Sequence, residues 1–215
     1  MFHRLQPIRS LTAVLLLAVS AASAFAQSPP VLQPQPSPGS IESRLKTELL
    51  ALGFADGKLP VLKPAFGNYL DAVKVGDMLY LSSAAPQRPD GQFVKGRVPD
   101  QVSVADAMVA AKLACVRQIA RLKLMLGDLE QVKRIVYVRG KVYSQADFTD
   151  QTKVTDACSA LYVAVFGDAG RHARTTEGIV AGPFGVAVEV ETFVELKPGA
   201  TLVSVAPSAS ATETK

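Results

Sequence analysis

The residues best placed for chemistry lie in one segment near the end of the chain, GRHARTTEGIVAGPFGVAVEVETFVEL, from Gly170 to Leu196. It carries Arg174, then Glu189 fifteen positions later and Glu191 two further on. A planar guanidinium grips a carboxylate through two parallel hydrogen bonds. A glutamate beside it can orient or deprotonate a water. The pair would suit the handling of a small organic acid. The second half of the segment alternates apolar and acidic residues as a half-buried strand does. AGPFG reads as a tight turn, so a closing hairpin is expected.

If hairpin partners have numbers that sum to about 367, Arg174 lies opposite Phe193. Arg174, Thr176, Gly178, Glu189, Glu191 and Phe193 then share one face, and Ile179, Ala181, Val186, Val188 and Val190 take the other. Glu189 stands roughly 13 Å along the strand from the partner of Arg174, which leaves room between the two side chains for a small acid. The competing reading is structural, with Arg174 neutralising Glu191. Helices would cover the valine face, but nothing in the chain covers the charged one. Phe193 and Val180 favour burial there, so a homo-oligomer is expected. A slip of one residue would exchange the faces, and Glu177, placed towards the helices by this register, would need a buried partner.

Other elements must hold this segment in place. IESRLKTELLALGF has Ser40 as N-cap and Ile41, Leu45, Leu49 and Leu52 on one helical face. YLDAVKVGDMLYLSSAAP predicts two strands joined at a tight VGD turn, and RPDGQFVKGRV an Asp-Gly turn and a short strand. The run from Ser103 to Leu126 is a long amphipathic helix with Val104, Met108, Ala111, Cys115, Ile119, Leu122 and Met125 in its stripe, ended by Gly127. QVKRIVYVRGKV is a strand, and DFTDQTKVTDACSALYVAVFG a helix stopped by Gly167. The order strand-strand-helix-strand-helix-strand-strand predicts an α+β two-layer domain, a mixed sheet with two helices on one face.

The ends read differently. Residues 1–26 have Arg4 and Arg9, a short apolar run and AFA before Gln27, the pattern of a cleaved secretory signal. Its apolar core is too short to span a membrane, and a periplasmic or secreted protein with no membrane attachment after cleavage is expected. Residues 27–40, QSPPVLQPQPSPGS, read as an extended tether and 198–215 as a tail. Residues 41–197, roughly 157 in number, make one domain.

Of 23 Lys and Arg against 19 Asp and Glu, Arg4 and Arg9 leave with the signal, so 21 stand against 19. That balance, without a basic aromatic run, argues against a nucleic-acid partner. His172 is the one histidine after the signal, and no Cys-x-x-Cys occurs. Neither a zinc site nor a Cys-His nucleophile is expected. Cys115 and Cys158 are expected as separate core side chains on two helices. Were they to pair, the 43-residue loop would be worth about 4 kcal/mol in the chain-entropy estimate.

HARTTEG followed by GVAVEVETFVEL, with GNYLDAVKVGDMLYLSS and two helices before them, resembles the Rid/YjgF family, whose members include enamine/imine deaminases and proteins labelled endoribonuclease L-PSP. The resemblance spans residues 60 to 197. It implies a chorismate-mutase-like fold assembled as a homotrimer with clefts between subunits. It also implies Arg174 as the substrate-carboxylate anchor, Glu189 beside the catalytic water, and Tyr69 and Ser82 in the pocket. The family's cysteine is Thr176 here, its asparagine on the second helix falls near Ser159, and the glycine after the strand-end serine is Ser83. His172 gains no role from it and is expected to be a loop histidine bonded to the backbone.

The activity so implied is hydrolysis of 2-imino or 2-enamino acids to 2-keto acids and ammonia, with no cofactor. The alternative is a trimer that binds small carboxylates, or acts as a chaperone, without chemistry.

Overall fold

The computed structural model describes residues 39–203 except 64 and 66. The expected signal, nearly all of the tether and the tail beyond 203 lie outside the described residues. Among the described residues three α-helices form, α1 (Ile41–Ala51), α2 (Val104–Leu126) and α3 (Gln151–Phe166). Five strands form one sheet: β1 (Ala72–Val75), β2 (Met78–Ala84), β3 (Val132–Tyr143), β4 (Ala173–Ile179) and β5 (Val188–Leu196).

The caps act as their residue types require. The Ser40 side chain accepts from the Ser43 N–H and that of Ser103 from the Asp106 N–H, each satisfying a donor that the first helical turn leaves open. Gly127 ends α2 with φ of 72°, a left-handed conformation that glycine adopts without strain. At the Gly76-Asp77 turn β1 folds back on β2, as the VGD signal predicts.

The strand order is β1-β2-β5-β3-β4. All neighbours are antiparallel except β3 and β4, which are parallel. Helices α2 and α3 lie on one face, and α1 packs against α3. On that face β5 buries Val188, Val190, Thr192, Val194 and Leu196, alternating with half-exposed residues. Each valine taken from water contributes about 1.5–3 kcal/mol. Thr192, a polar group among them, is satisfied by the buried Tyr162 hydroxyl at 2.8 Å.

The expected closing hairpin does not form. β4 and β5 lie on either side of β3, and Val138 pairs with both Arg174 and Thr192. Arg174 is therefore level with Thr192, not Phe193, and this one-residue difference exchanges the faces of β4. Arg174, Thr176 and Gly178 turn towards the helices. Glu177 and Ile179 turn to the open side, where Glu177 meets Arg139 at 3.3 Å. The faces expected for β5 hold. Glu191 pairs with Lys141 at 2.6 Å, not with Arg174. RPDGQFVKGRV makes isolated bridges, Gln87 to Phe93 and Lys95 to Val186, in place of a short strand.

Cys115 and Cys158 are bonded to each other, which corrects the expectation of two separate thiols. Both are fully buried where α2 meets α3, with Cα atoms 5.8 Å apart. That separation lies within the range a disulfide requires.

Helix α3 sits so close to β3 that a Cβ added at Gly140 would collide with the Thr155 methyl. Overpacking of this kind typically costs about 1–3 kcal/mol. Gly140→Ala is expected to lower the unfolding free energy by that amount, seen as a lower urea midpoint with an unchanged slope.

Candidate functional site

The residues singled out from sequence fall into two groups in one protomer. The first sits under β4, an edge strand of the sheet. Arg174 Nη1 donates to Ser159 Oγ at 2.9 Å and meets Asp156 Oδ1 at 2.7 Å. The Arg174 side chain is 20% exposed and Asp156 66% exposed. An ion pair this open to water is worth up to about 1 kcal/mol, so a ligand carboxylate can compete with Asp156 for the guanidinium. Thr176 Oγ1 lies 2.7 Å from Thr155 Oγ1.

His172 belongs to this group. Its Nδ1 lies 2.7 Å from Gly170 O, the backbone bond expected of it, and its Nε2 is 3.0 Å from Ser159 Oγ. In the neutral ring Nδ1–H donates to the carbonyl and Nε2 accepts the Ser159 hydroxyl, which in turn accepts from Arg174. Burial first, and the Arg174 charge second, push the imidazole below its ordinary pKa, while the Gly170 bond opposes them. A lowered histidine contributes stability that is complete above about pH 6.5 and is lost as pH falls through the folded value. His172→Gln is therefore expected to flatten the fall in melting temperature between pH 7.5 and pH 5.

The second group lines a cavity of about 660 Å³, a size suited to small ligands. Tyr69, Ser82 and Glu189 all open onto it. Its position follows from a bulge in β2. Leu81 pairs with Thr192 but Ala84 pairs with Val190, so Ser82 and Ser83 together oppose a single residue of β5. Released from the ladder, Ser82 O accepts from Gln118 Nε2 at 3.0 Å and Arg121 Nη1 at 2.6 Å. The Ser82 hydroxyl donates to Leu70 O at 2.7 Å and so holds the segment that carries Tyr69.

Glu189 projects from β5 at the level of Lys141. Burial, the largest influence, pushes its carboxyl above the usual carboxylate range, and Glu191 pushes the same way. Lys141 opposes them, and the Ser83 hydroxyl, nearby but short of a full hydrogen bond, adds a smaller downward pull. A carboxylate that holds its proton more readily is a better base near neutral pH.

The structure does not bring Arg174 and Glu189 together within one protomer. Thr192, level with Arg174, is three residues from Glu189, roughly 10 Å along the strand, and β4 and β5 are separated by about 9.6 Å across the sheet. The two side chains also leave opposite faces. The space expected between them for a small acid is therefore absent from a single subunit.

Among the cavity residues that sequence reasoning missed are Arg117 and Arg121 of α2. They lie four apart and so on one side of the helix. Their spacing on a helix packed by alanines was the available signal. Arg121 is braced by Asp71 at 3.0 Å and by Gln118 Oε1 at 2.8 Å.

The family described as "YjgF/chorismate_mutase-like, putative endoribonuclease" matches residues 46–196. The chain is 35% identical over 154 residues to Protein TCP17 of Trypanosoma cruzi, covering 71% of this chain and 94% of that one. Protein Atu1372 of Agrobacterium tumefaciens, of unknown function, is 34% identical with a TM-score of 0.64, over 73% of this chain and 96% of its own. A "putative endoribonuclease" of Shewanella oneidensis MR-1 is 30% identical with a TM-score of 0.66, over 74% and 100%. The chain belongs to the YjgF/chorismate-mutase-like family and has its fold.

Proposed function

We propose that the protein hydrolyses reactive 2-imino and 2-enamino acids to 2-keto acids and ammonia, at clefts between the subunits of a homotrimer. The observation that carries this reading is the meeting of Tyr69, Ser82 and Glu189 in one cavity, with the glutamate carboxyl raised by burial. In the assembled cleft, Arg174 with Ser159 and Thr176 at the β4 edge of one subunit faces the Glu189 cavity of the next. The uncovered aromatic group Tyr80, Phe193 and Tyr137, with ring centroids 5.1 and 5.7 Å apart, supports burial of the open face against another copy. The buried disulfide supports an oxidising compartment, in keeping with the signal-like leader.

Arg174 holds the substrate carboxylate. Glu189 takes a proton from water as the oxygen bonds to the imine carbon and the C=N pair moves onto nitrogen. Glu189 returns that proton to the nitrogen to give the carbinolamine. The carbinolamine then collapses: its hydroxyl proton passes by way of the glutamate to the amine as C=O forms, the C–N bond breaks and ammonia leaves. Such imines hydrolyse unaided in water, so positioning and proton transfer are enough.

The test is hydrolysis of 2-iminopropanoate, generated in place by an amino-acid oxidase, by wild type and Arg174→Ala. The expected result is faster hydrolysis with wild type and loss of most of that gain in the variant. If neither exceeds buffer while 2-keto acids still raise the melting temperature, the protein binds such acids without the reaction.

A further inference from the structure

The Glu189 cavity is rich in positive charge. Lys63, Lys95, Arg117 and Arg121 line it against Asp71 and Glu189. Arg121, with its side chain 8% exposed, is occupied by Asp71, Gln118 and the Ser82 carbonyl. Arg117 is not balanced in this way. Its partners among the described residues are neutral, the Ala85 carbonyl at 3.1 Å and the Phe93 ring, 5.2 Å from its Cζ. Among the described residues it makes no ion pair.

Burial and the neighbouring Arg121 charge both lower the pKa of Arg117, while Asp71 and Tyr69 pull weakly the other way. A desolvated cation next to a second one is costly unless an anion reaches it. The Phe93 ring lies against the guanidinium, which can offer its planar fork to a carboxylate at two points. Tyr69 and Phe93 border the space and would flank the body of such a ligand.

We propose that Arg117 is a carboxylate-binding residue within the Glu189 cavity, with Arg121 as the positioning residue behind it, and that the site takes small organic carboxylates. The inference goes beyond the proposed reaction because it concerns binding inside one protomer and does not depend on Arg174 or on subunit contacts. It gives the cavity a carboxylate grip of its own, beside the groups that would act on the ligand.

Calorimetric titration with 2-oxobutanoate tests it in the whole protein, with the neutral ketone 2-butanone and inorganic phosphate as controls. Wild type is expected to bind 2-oxobutanoate and not the ketone. Arg117→Gln should weaken binding at least about tenfold, or roughly 1.4 kcal/mol, with a melting temperature near that of wild type. Arg117→Lys keeps the charge without the fork and should fall between them, and it serves as the test if the glutamine variant does not fold. Binding unchanged in both variants, no binding by wild type, or tighter binding of phosphate than of the carboxylate overturns the proposal. Arg117-dependent binding without imine hydrolysis would sink the proposed reaction and leave this inference standing. Hydrolysis with binding indifferent to Arg117 would do the reverse.

Discussion

Glu189→Gln is expected to slow imine hydrolysis by about 10²-fold or more and, at neutral pH, to make the folded protein more stable. The two effects share one cause. The carboxyl sits where burial disfavours its charge, with Glu191 adding to the penalty and Lys141 relieving part of it. A carboxyl whose folded pKa is raised binds more protons in the folded state than in the unfolded one. Stability therefore falls as pH rises from the ordinary carboxylate value through the folded value. Glutamine has nearly the same shape and no charge, so it escapes that loss, yet it cannot accept a proton from water. Melting temperatures of wild type and variant should converge near pH 4 and separate, with the variant higher, towards pH 7. A variant less stable at pH 7 would mean that the carboxylate is held by a partner and not strained by burial.

The second large effect concerns the disulfide. Cys115–Cys158 closes 43 residues between α2 and α3, for which the chain-entropy estimate is about 4 kcal/mol. Domains of this size have a total stability of about 5–15 kcal/mol, so reduction should remove a large share of it. The double variant Cys115→Ala with Cys158→Ala is expected to melt roughly 10 °C lower, and wild type in strong reductant should approach it. The bond also lies next to the site. Cys115 is two residues from Arg117, and Cys158 precedes Ser159, which accepts from Arg174. Loss of the bond should therefore loosen both groups at once, and ligand affinity should fall along with stability. An unmoved midpoint would contradict this.

Much of the fold was legible because local chemistry fixes it. Ser40, Ser103, Gly127 and Gly167 mark helix ends by the hydrogen bonds or dihedrals that they alone supply cheaply. The valines of β5 set its buried face without help. β4 offered no such pattern, because ARTTEGI carries polar residues on both faces. Its register had to be borrowed from an assumed hairpin. The stretch from Val180 to Ala187 looks like a tight turn, but it crosses the end of β3, and only the sheet order shows that. The state of the two cysteines depends on a 5.8 Å approach between helices that neither helix encodes by itself.

The site was legible in part. Glu189 was read from the closing segment itself and Tyr69 and Ser82 from the family resemblance, and all three open onto one cavity. Arg174 was read as sharing the face of Glu189, and it lies on the other. Arg117 and Arg121 were missed because long cations on a helix usually point to water. Here the bulge at Ser82–Ser83 leaves a carbonyl that needs a donor, and that need draws Arg121 inwards. Such a demand arises from sheet geometry and leaves no mark in α2 itself.

The most direct measurement is the decay of 2-iminobutanoate, released by an amino-acid oxidase and trapped with semicarbazide, against increasing amounts of the purified protein. The expected result is a decay rate that climbs in proportion to protein and stays at the buffer rate when Glu189→Gln replaces wild type. A rate equal to buffer at every wild-type concentration would contradict the account.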